Sequence, residues 1–123
     1  MPRNQTGCAQ VWSISDQELE QAVICGILHC PDRMFALLPD LGFTTAMYAW
    51  PIHIIAHDEL HEMWVNFKRI NHISFFLKIK ERGKLAEWGG RNEFAMWLVD
   101  TWNSRHWWGD VQEWWPQGVD IKE

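Results

Sequence analysis

The stretch from Arg69 to Asp100 reads RINHISFFLKIKERGKLAEWGGRNEFAMWLVD, and its glycines divide it into two helical halves. Asn71 is placed to cap the first helix, because an Asn side chain accepts hydrogen bonds from the free backbone N–H groups of an opening turn. Gly83 follows that helix, at a position where a left-handed residue commonly ends one. Gly89 and Gly90 then permit a sharp turn. The stretch therefore predicts a helical hairpin, and it carries no catalytic motif.

Apolar residues recur with the helical period in both halves of this hairpin. The predicted inward face of its first helix consists of Ile73, Phe76, Leu77 and Ile79. The predicted inward face of its second helix consists of Phe94, Trp97, Leu98 and Thr101. Leu85 and Trp88 lie in the connection, and we expect both to hold that connection on the core.

The residues before the hairpin predict three more helices. Ser15 and Glu18 form a capping-box pair, and the helix that follows ends near residue 29 because Pro31 cannot continue it. Pro31 itself suits the first turn of a second, short helix. A third helix is predicted from about Trp50-Pro51 to about Asn66. Its predicted inward stripe consists of Ile52, Ile55, Ala56, Leu60, Met63 and Phe67.

A sixth helix is predicted after the hairpin, from about Ser104 to Trp115, and Pro116 ends it. The predicted fold class is therefore all-α, a compact orthogonal bundle of five or six helices. Residues 1–12 are predicted to form a flexible leader, residues 13–116 the helical domain and residues 117–123 a polar tail. A chain of 123 residues is long enough for one domain of this kind.

Composition narrows the functional classes. The chain is 47% hydrophobic and 22% charged, which is ordinary for a soluble globular protein. It has no apolar run of membrane-spanning length and no signal-peptide core, so we predict a cytoplasmic protein with no membrane partner. Three cysteines without CxxC spacing predict reduced thiols. A net charge of -5 argues against a dedicated phosphate-backbone binder, so direct nucleic-acid binding is predicted to be weak or absent.

Two blocks of the chain resemble the N-terminal domain of DnaB-type replicative DNA helicases. The hairpin resembles that family's Ile-Asp opening, helix, Gly-x-Leu turn and Gly-Gly pair before an aromatic-Leu helix. The block Glu18–Leu28, followed by Cys30-Pro31, resembles its Glu-Ala-Glu-Gln-x-Val-Leu-Gly-x-Leu-Leu opening and Asp-Pro. Between them, Tyr48, Pro51, His53 and Ile54-Ile55 match a family segment with shifted spacing. The positions that carry the family motif are Glu20, Gln21, Pro31, His53, Gly83, Leu85, Gly89 and Gly90.

The chain also departs from the family pattern. Cys25 stands where the family usually has Gly, Cys30 replaces the Asp before Pro31, and His53 lacks the following Arg. After Asp100 little of the family pattern remains. The resemblance implies a DnaB N-terminal domain-like fold and a non-catalytic role without cofactors. It also implies a self-associating domain, as a dimer or higher homo-oligomer, that contacts replication proteins such as helicase or primase.

Two forms of that role stay open at this point. The chain is either an excised domain of a longer helicase or a natural short protein that acts as an adaptor, loader or inhibitor, and its polar ending favours the second form. The helicase-binding domain of primase has a similar fold and is a near alternative. A helicase motor would need a P-loop. Gly83-Lys84 is followed by Leu85 and lacks a glycine five positions earlier, so we predict that the chain is not an enzyme.

Three histidines stand four residues apart on the third helix. His57-Asp58-x-x-His61 differs from the zincin motif by one methylene, and two histidines at this spacing can share a zinc ion. His53 and His61 cannot both bind that ion, because they lie about 12 Å apart along the helix axis. We interpret the three as a polar flank beside the apolar stripe, with no metal bound. The alternative from another class is a zinc-dependent hydrolase using His57 and His61.

Ten tryptophans are the other unusual feature of the chain. Trp64, Trp88 and Trp97 are predicted to fill space between helices. Trp residues are also enriched at interface hot spots. The predicted partner-binding residues are Trp102, Trp107, Trp108, Val111, Trp114 and Trp115. Three interpretations stay open for this segment: a contact with another chain, packing against this domain's own core, and base stacking on single strands.

Overall fold

The structure is a computed structural model and describes residues 17–104. Its five α-helices are α1 (Gln17–His29), α2 (Pro31–Asp40), α3 (Pro51–Val65), α4 (His72–Glu81) and α5 (Arg91–Trp102). Short 3₁₀ helices occupy Thr45–Met47 and Leu85–Trp88. No strand occurs in residues 17–104, and the helices share one core, so the prediction of a compact all-α fold is confirmed. The predicted Ser15 cap, leader, sixth helix and tail lie outside the described residues.

Helix α1 is the centre of the bundle. Every residue from Ala22 to Leu28 is buried, which leaves that part of the helix without a solvent-facing side. A helix that is apolar on all sides has to be surrounded by other elements. Here α2, α3 and α5 pack around it. No helix within residues 17–104 is both long enough and apolar enough to cross a membrane.

The predicted inward face of α5 is confirmed, since Phe94, Trp97, Leu98 and Thr101 are all buried. Leu85 and Trp88 lie half-buried against the core, also as predicted. The stripe on α3 is only partly right. Ala56, Leu60 and Met63 are buried, Ile52 and Ile55 are half-buried, and Phe67 is 96% exposed. The helix ends at Val65 and Phe67 takes a left-handed φ of 57°, so the helical period no longer decides where its ring points.

The hairpin has the caps and turns that its sequence predicts. Asn71 Oδ1 accepts from the Ser74 N–H at 2.8 Å, and Ser74 Oγ accepts from the Asn71 N–H at 2.9 Å. This reciprocal capping box satisfies two backbone donors at the start of α4. After α4, Gly83 has a φ of 69°, and the turn into α5 uses Gly89 and Gly90 at φ 101° and 127°.

Gly83→Ala should lower the free energy of unfolding by about 1 kcal/mol, because a side chain is disfavoured in the left-handed region. A Cβ at this position would meet no atom within 4 Å, so the loss measures backbone strain without steric clash. Chemical denaturation is the measurement, and Lys80→Ala at an exposed helical position is the control. Equal stability of Gly83→Ala and wild type would contradict the role assigned to Gly83.

Candidate functional site

An apolar groove runs between α4 and α5, and no charged side chain lines it. Its volume is about 280 Å³, and it is lined by His72, Ile73, Phe76, Leu77, Ala95, Leu98 and Val99. Ile73, Leu77 and Val99 are 62%, 49% and 58% exposed. Isolated exposed apolar residues are normal, but a continuous apolar surface commonly marks a contact site. This groove is therefore a candidate interaction site within residues 17–104.

The groove corrects the predicted inward face of α4. Ile79 is buried as predicted, but Ile73 and Leu77 point outward and Phe76 is half-buried. The side chain that reaches the core is Phe75, which is fully buried and lies 5.8 Å from the Phe94 ring between centroids. Phe75 and Ile79 form one apolar stripe, four residues apart. Ile73 and Leu77 form a second stripe, which α5 leaves uncovered.

The two helices run antiparallel along the groove. The His72 ring at the start of α4 lies 4.5 Å from the Trp102 ring at the end of α5, measured between centroids. At the other end Phe76 lies 5.6 Å from Phe94, near the start of α5. The Arg91 guanidinium stands 5.7 Å from the Phe76 ring centroid, within the range of a cation–π contact. The groove thus has a His72–Trp102 end and an Arg91 end.

Trp102 is the one predicted partner-binding residue that lies within the described range. Its half-buried ring stacks on His29 at 3.8 Å between centroids. His29 Nε2 lies 3.0 Å from the Trp102 carbonyl oxygen, which can only accept, so the imidazole donates. Trp102 thus ties the end of α5 to the end of α1. The other predicted partner residues lie outside the described residues, namely Trp107, Trp108, Val111, Trp114 and Trp115.

A buried polar network joins α1, α3 and α5. Glu20 and His53 are both fully buried, and His53 Nδ1 donates to Glu20 Oε1 at 2.6 Å. The same carboxylate accepts from the Ala49 N–H at 2.6 Å and the Trp50 N–H at 3.3 Å. Trp97 Nε1 donates to His53 Nε2 at 3.2 Å. Each polar atom of the pair therefore has a partner, which buried charges require.

The network fixes the protonation state of His53. An indole N–H can only donate, so His53 Nε2 has to accept and the proton resides on Nδ1. Burial lowers the pKa of His53, against the opposing influence of the Glu20 hydrogen bond. The indole N–H on His53 Nε2 and the net lowering of the pKa are both consistent with a neutral ring at pH 7.

Several residues that carry the sequence resemblance connect the helices to one another. Besides Glu20 and His53, Gln21 Nε2 donates to Thr101 Oγ1 at 3.1 Å, which joins α1 to α5. The Thr101 hydroxyl donates in turn to the Trp97 carbonyl at 2.7 Å. Pro31 is the first residue of α2, and the glycines form the turns described above. Within residues 17–104, these residues therefore contribute to the stability of the fold.

His57 is likewise directed into the protein. Its Nδ1 lies 2.9 Å from the hydroxyl of Tyr48, and burial raises the pKa of that phenol well above its usual range. Because a buried hydroxyl needs an acceptor, we assign Tyr48 as the donor. Burial and, to a lesser degree, the nearby His61 lower the pKa of His57 to about 4. The ring is therefore neutral at pH 7.

The interpretation of the α3 histidines as a polar flank is thus wrong for two of the three. His53 is 0% and His57 8% exposed, and only His61 faces solvent. The reason is that Glu20, Tyr48 and Trp97 supply hydrogen-bond partners from outside α3. Within residues 17–104, no group of three or more His, Cys, Asp or Glu is arranged to hold a metal ion. The zinc hydrolase stays a hypothesis.

The positive charges between α4 and the following turn are largely paired with α3. Lys78 Nζ lies 3.3 Å from Glu62 Oε1. Glu59 Oε2 accepts from Arg82 Nε at 3.2 Å and lies 3.8 Å from Lys84 Nζ. These pairs link α4 and the following turn to α3 and reduce the positive charge of that surface.

Comparison of the chain with protein-family models, curated proteins and solved structures found no match.

Proposed function

We propose that this chain is a non-catalytic protein-interaction and oligomerisation module of DNA replication. In this proposal it resembles the N-terminal domain of a replicative helicase and contacts helicase or primase as well as further copies of itself. A free-standing helicase loader or inhibitor is the second form of the same proposal. The proposed link to replicative helicases rests on the order and separation of the two sequence blocks. The proposed role in protein interaction is supported by the apolar groove between α4 and α5.

The observation that supports a role in protein interaction is the uncovered apolar groove between α4 and α5. Ile73, Leu77 and Val99 add exposed apolar area where a helix surface is usually polar. Burying such area against another protein is favourable by about 25 cal/mol per Å² before the costs of association are subtracted. By contrast, Glu20, His53 and Tyr48 are engaged in internal hydrogen bonds. The groove is thus better suited to a protein contact than to chemistry.

Val99→Lys should weaken binding to a replicative helicase or primase by about tenfold or more, which corresponds to about 1.4 kcal/mol. The reason is that docking over position 99 would bury an unpaired ammonium group. Pull-down and titration of purified helicase and primase with this protein provide the measurement. Val65→Lys is a matched control, because Val65 is 48% exposed, near the 58% of Val99, and does not line the groove.

Self-association is tested separately by sedimentation over a range of concentrations. We expect Leu77→Lys and Val99→Lys to shift the protein towards monomer relative to Val65→Lys. A wild-type chain that binds neither helicase nor primase and sediments as a strict monomer would contradict the proposed function.

A further inference from the structure

We propose that a pocket between α2 and α3 binds a small aromatic carboxamide, whose carbonyl oxygen accepts from His57 and whose amino group donates to Asp58. The pocket has a volume of about 270 Å³ and is open to solvent. It shares no lining residue with the α4–α5 groove. This binding site is therefore independent of the proposed function.

The pocket combines apolar walls with a polar side. Its walls include the buried side chains of Phe35, Leu38 and Phe43. The polar residues that line it are Thr44, Thr45, His57, Asp58 and His61. Small-molecule sites commonly have apolar walls and a few polar groups that fix the orientation of the ligand. A volume just below the usual range of about 300–1,000 Å³ suits a single substituted ring.

His57 presents a hydrogen-bond donor to this pocket. Its Nδ1 accepts from the Tyr48 hydroxyl, so the proton of the neutral ring resides on Nε2. The side chain is 8% exposed, yet Nε2 has no hydrogen-bond partner within residues 17–104 and is not sealed from solvent. Because His57 lines the pocket, this N–H group is available to a ligand there. A carbonyl oxygen is an acceptor that would satisfy it.

The neighbours of the His57 ring hold this donor in one orientation. The Phe43 ring lies nearly parallel to it, at 19° and 5.6 Å between centroids, and the Phe35 ring stands perpendicular to it at 5.6 Å. The hydrogen bond to Tyr48 fixes the ring from the inner side. The pKa of His57 is lowered to about 4, so the ring donates at pH 7 without a charge. An uncharged donor favours a neutral carbonyl group over an anion.

Asp58 supplies an acceptor next to that donor. It follows His57 on α3, lines the same pocket and has no hydrogen bond or ion pair within residues 17–104. An ionised carboxylate can only accept, so it favours an amino group and repels a bound anion. A primary carboxamide carries both required groups in one plane, a carbonyl oxygen and an amino group. An aromatic ring attached to it would pack against the apolar walls.

Titration of the full chain with benzamide, followed by NMR, tests this site. Benzamide should displace the methyl resonances of Leu38 and Thr45, with the weak affinity usual for so small a ligand, and leave those of Val99 in the groove unchanged. Benzoate has the same shape but is an anion without an amino group, so we expect it to bind about tenfold more weakly. No displacement at Leu38 and Thr45, or equal affinity for benzamide and benzoate, would overturn the proposal.

Asp58→Ala tests the recognition of the amino group. Asp58 is exposed, so this variant should fold. It should reduce the preference for benzamide over benzoate by about threefold or more. Asp100→Ala removes an exposed carboxylate that does not line the pocket, and it should leave that preference unchanged. The same preference in Asp58→Ala and wild type would overturn the proposal.

Tyr48→Phe combined with His57→Phe tests the donor. Removing both partners of a buried hydrogen bond leaves neither of them unpaired. The two rings keep the aromatic volume but present no N–H group, so benzamide should bind about tenfold more weakly. Wild-type affinity in this variant would overturn the proposal. A measurement on the wild-type chain serves if the variant does not fold: benzamide should shift the nitrogen resonance of His57 Nε2, and no shift would overturn the proposal.

Discussion

Glu20→Ala should lower the free energy of unfolding by about 3–5 kcal/mol, the range measured when one partner of a buried pair is removed. The carboxylate accepts three hydrogen bonds at the junction of α1, α3 and the loop before α3. Its removal leaves the His53 Nδ1–H and two backbone N–H groups without an acceptor and opens a cavity beside α1. Chemical denaturation at pH 7 measures the loss.

Two variants make this expectation specific. Glu20→Gln keeps the shape and one acceptor oxygen but turns an amide donor towards other donors, so its loss should be intermediate. Glu62→Ala removes a half-exposed carboxylate that is also paired with a basic residue, Lys78. Surface pairs contribute about 0–1 kcal/mol, so this control should change little. If Glu20→Ala and Glu62→Ala were equally stable, the buried network would have no structural importance.

Acidification from pH 7 to pH 5 should lower the free energy of unfolding by about 2 kcal/mol through His57 alone. Its pKa falls from 6.5 to about 4 on folding, mainly by burial, so the unfolded chain takes up the proton first. The contribution to stability is complete above pH 6.5 and decreases as the pH falls towards 4. The lowered pKa of His53 acts in the same direction.

Denaturation at several pH values, analysed for the slope of stability against pH, is the measurement. His57→Gln removes the titrating ring and keeps a carbonyl that can accept from Tyr48. It should therefore reduce the slope by up to one proton, or about 1.4 kcal/mol per pH unit. An identical slope in wild type and His57→Gln would show that His57 does not set the acid sensitivity. Because the pKa of His53 is also lowered, His53 should contribute to the dependence of stability on pH that remains in His57→Gln.

The all-α fold class, the positions of the helices and the inward face of α5 could be predicted from the sequence because they depend on local signals. Asn71, Pro31 and the three glycines of the hairpin act within a few residues of themselves. The inward face of α5 could be predicted because its four inward residues recur with the helical period. Helix α4 was ambiguous because it carries two stripes, one through Phe75 and Ile79 and one through Ile73 and Leu77. Periodicity shows that stripes exist, and only the tertiary structure shows which one meets the core.

The candidate site was harder to predict for the same reason. The α5 side of the groove includes Val99, which the helical period leaves outside the inward face without showing that it contributes to a groove. One available signal was the excess of apolar residues in α4 over what a single buried face needs. The inward direction of His53 had no local signal at all. It depends on Glu20, which is 33 residues from His53, and on Trp97, 44 residues away.

The complete burial of the middle of α1 has a consequence during protein synthesis. One of the three helices that pack around it, α5, comes from the opposite end of the described chain, since Gln21 and Thr101 are 80 residues apart. At about 5–20 residues per second, the ribosome needs about 4–16 seconds to add those 80 residues. During that interval the apolar stretch from Ala22 to Leu28 has no α5 to cover it. We therefore expect this stretch to be exposed in the nascent chain until α5 has been synthesised.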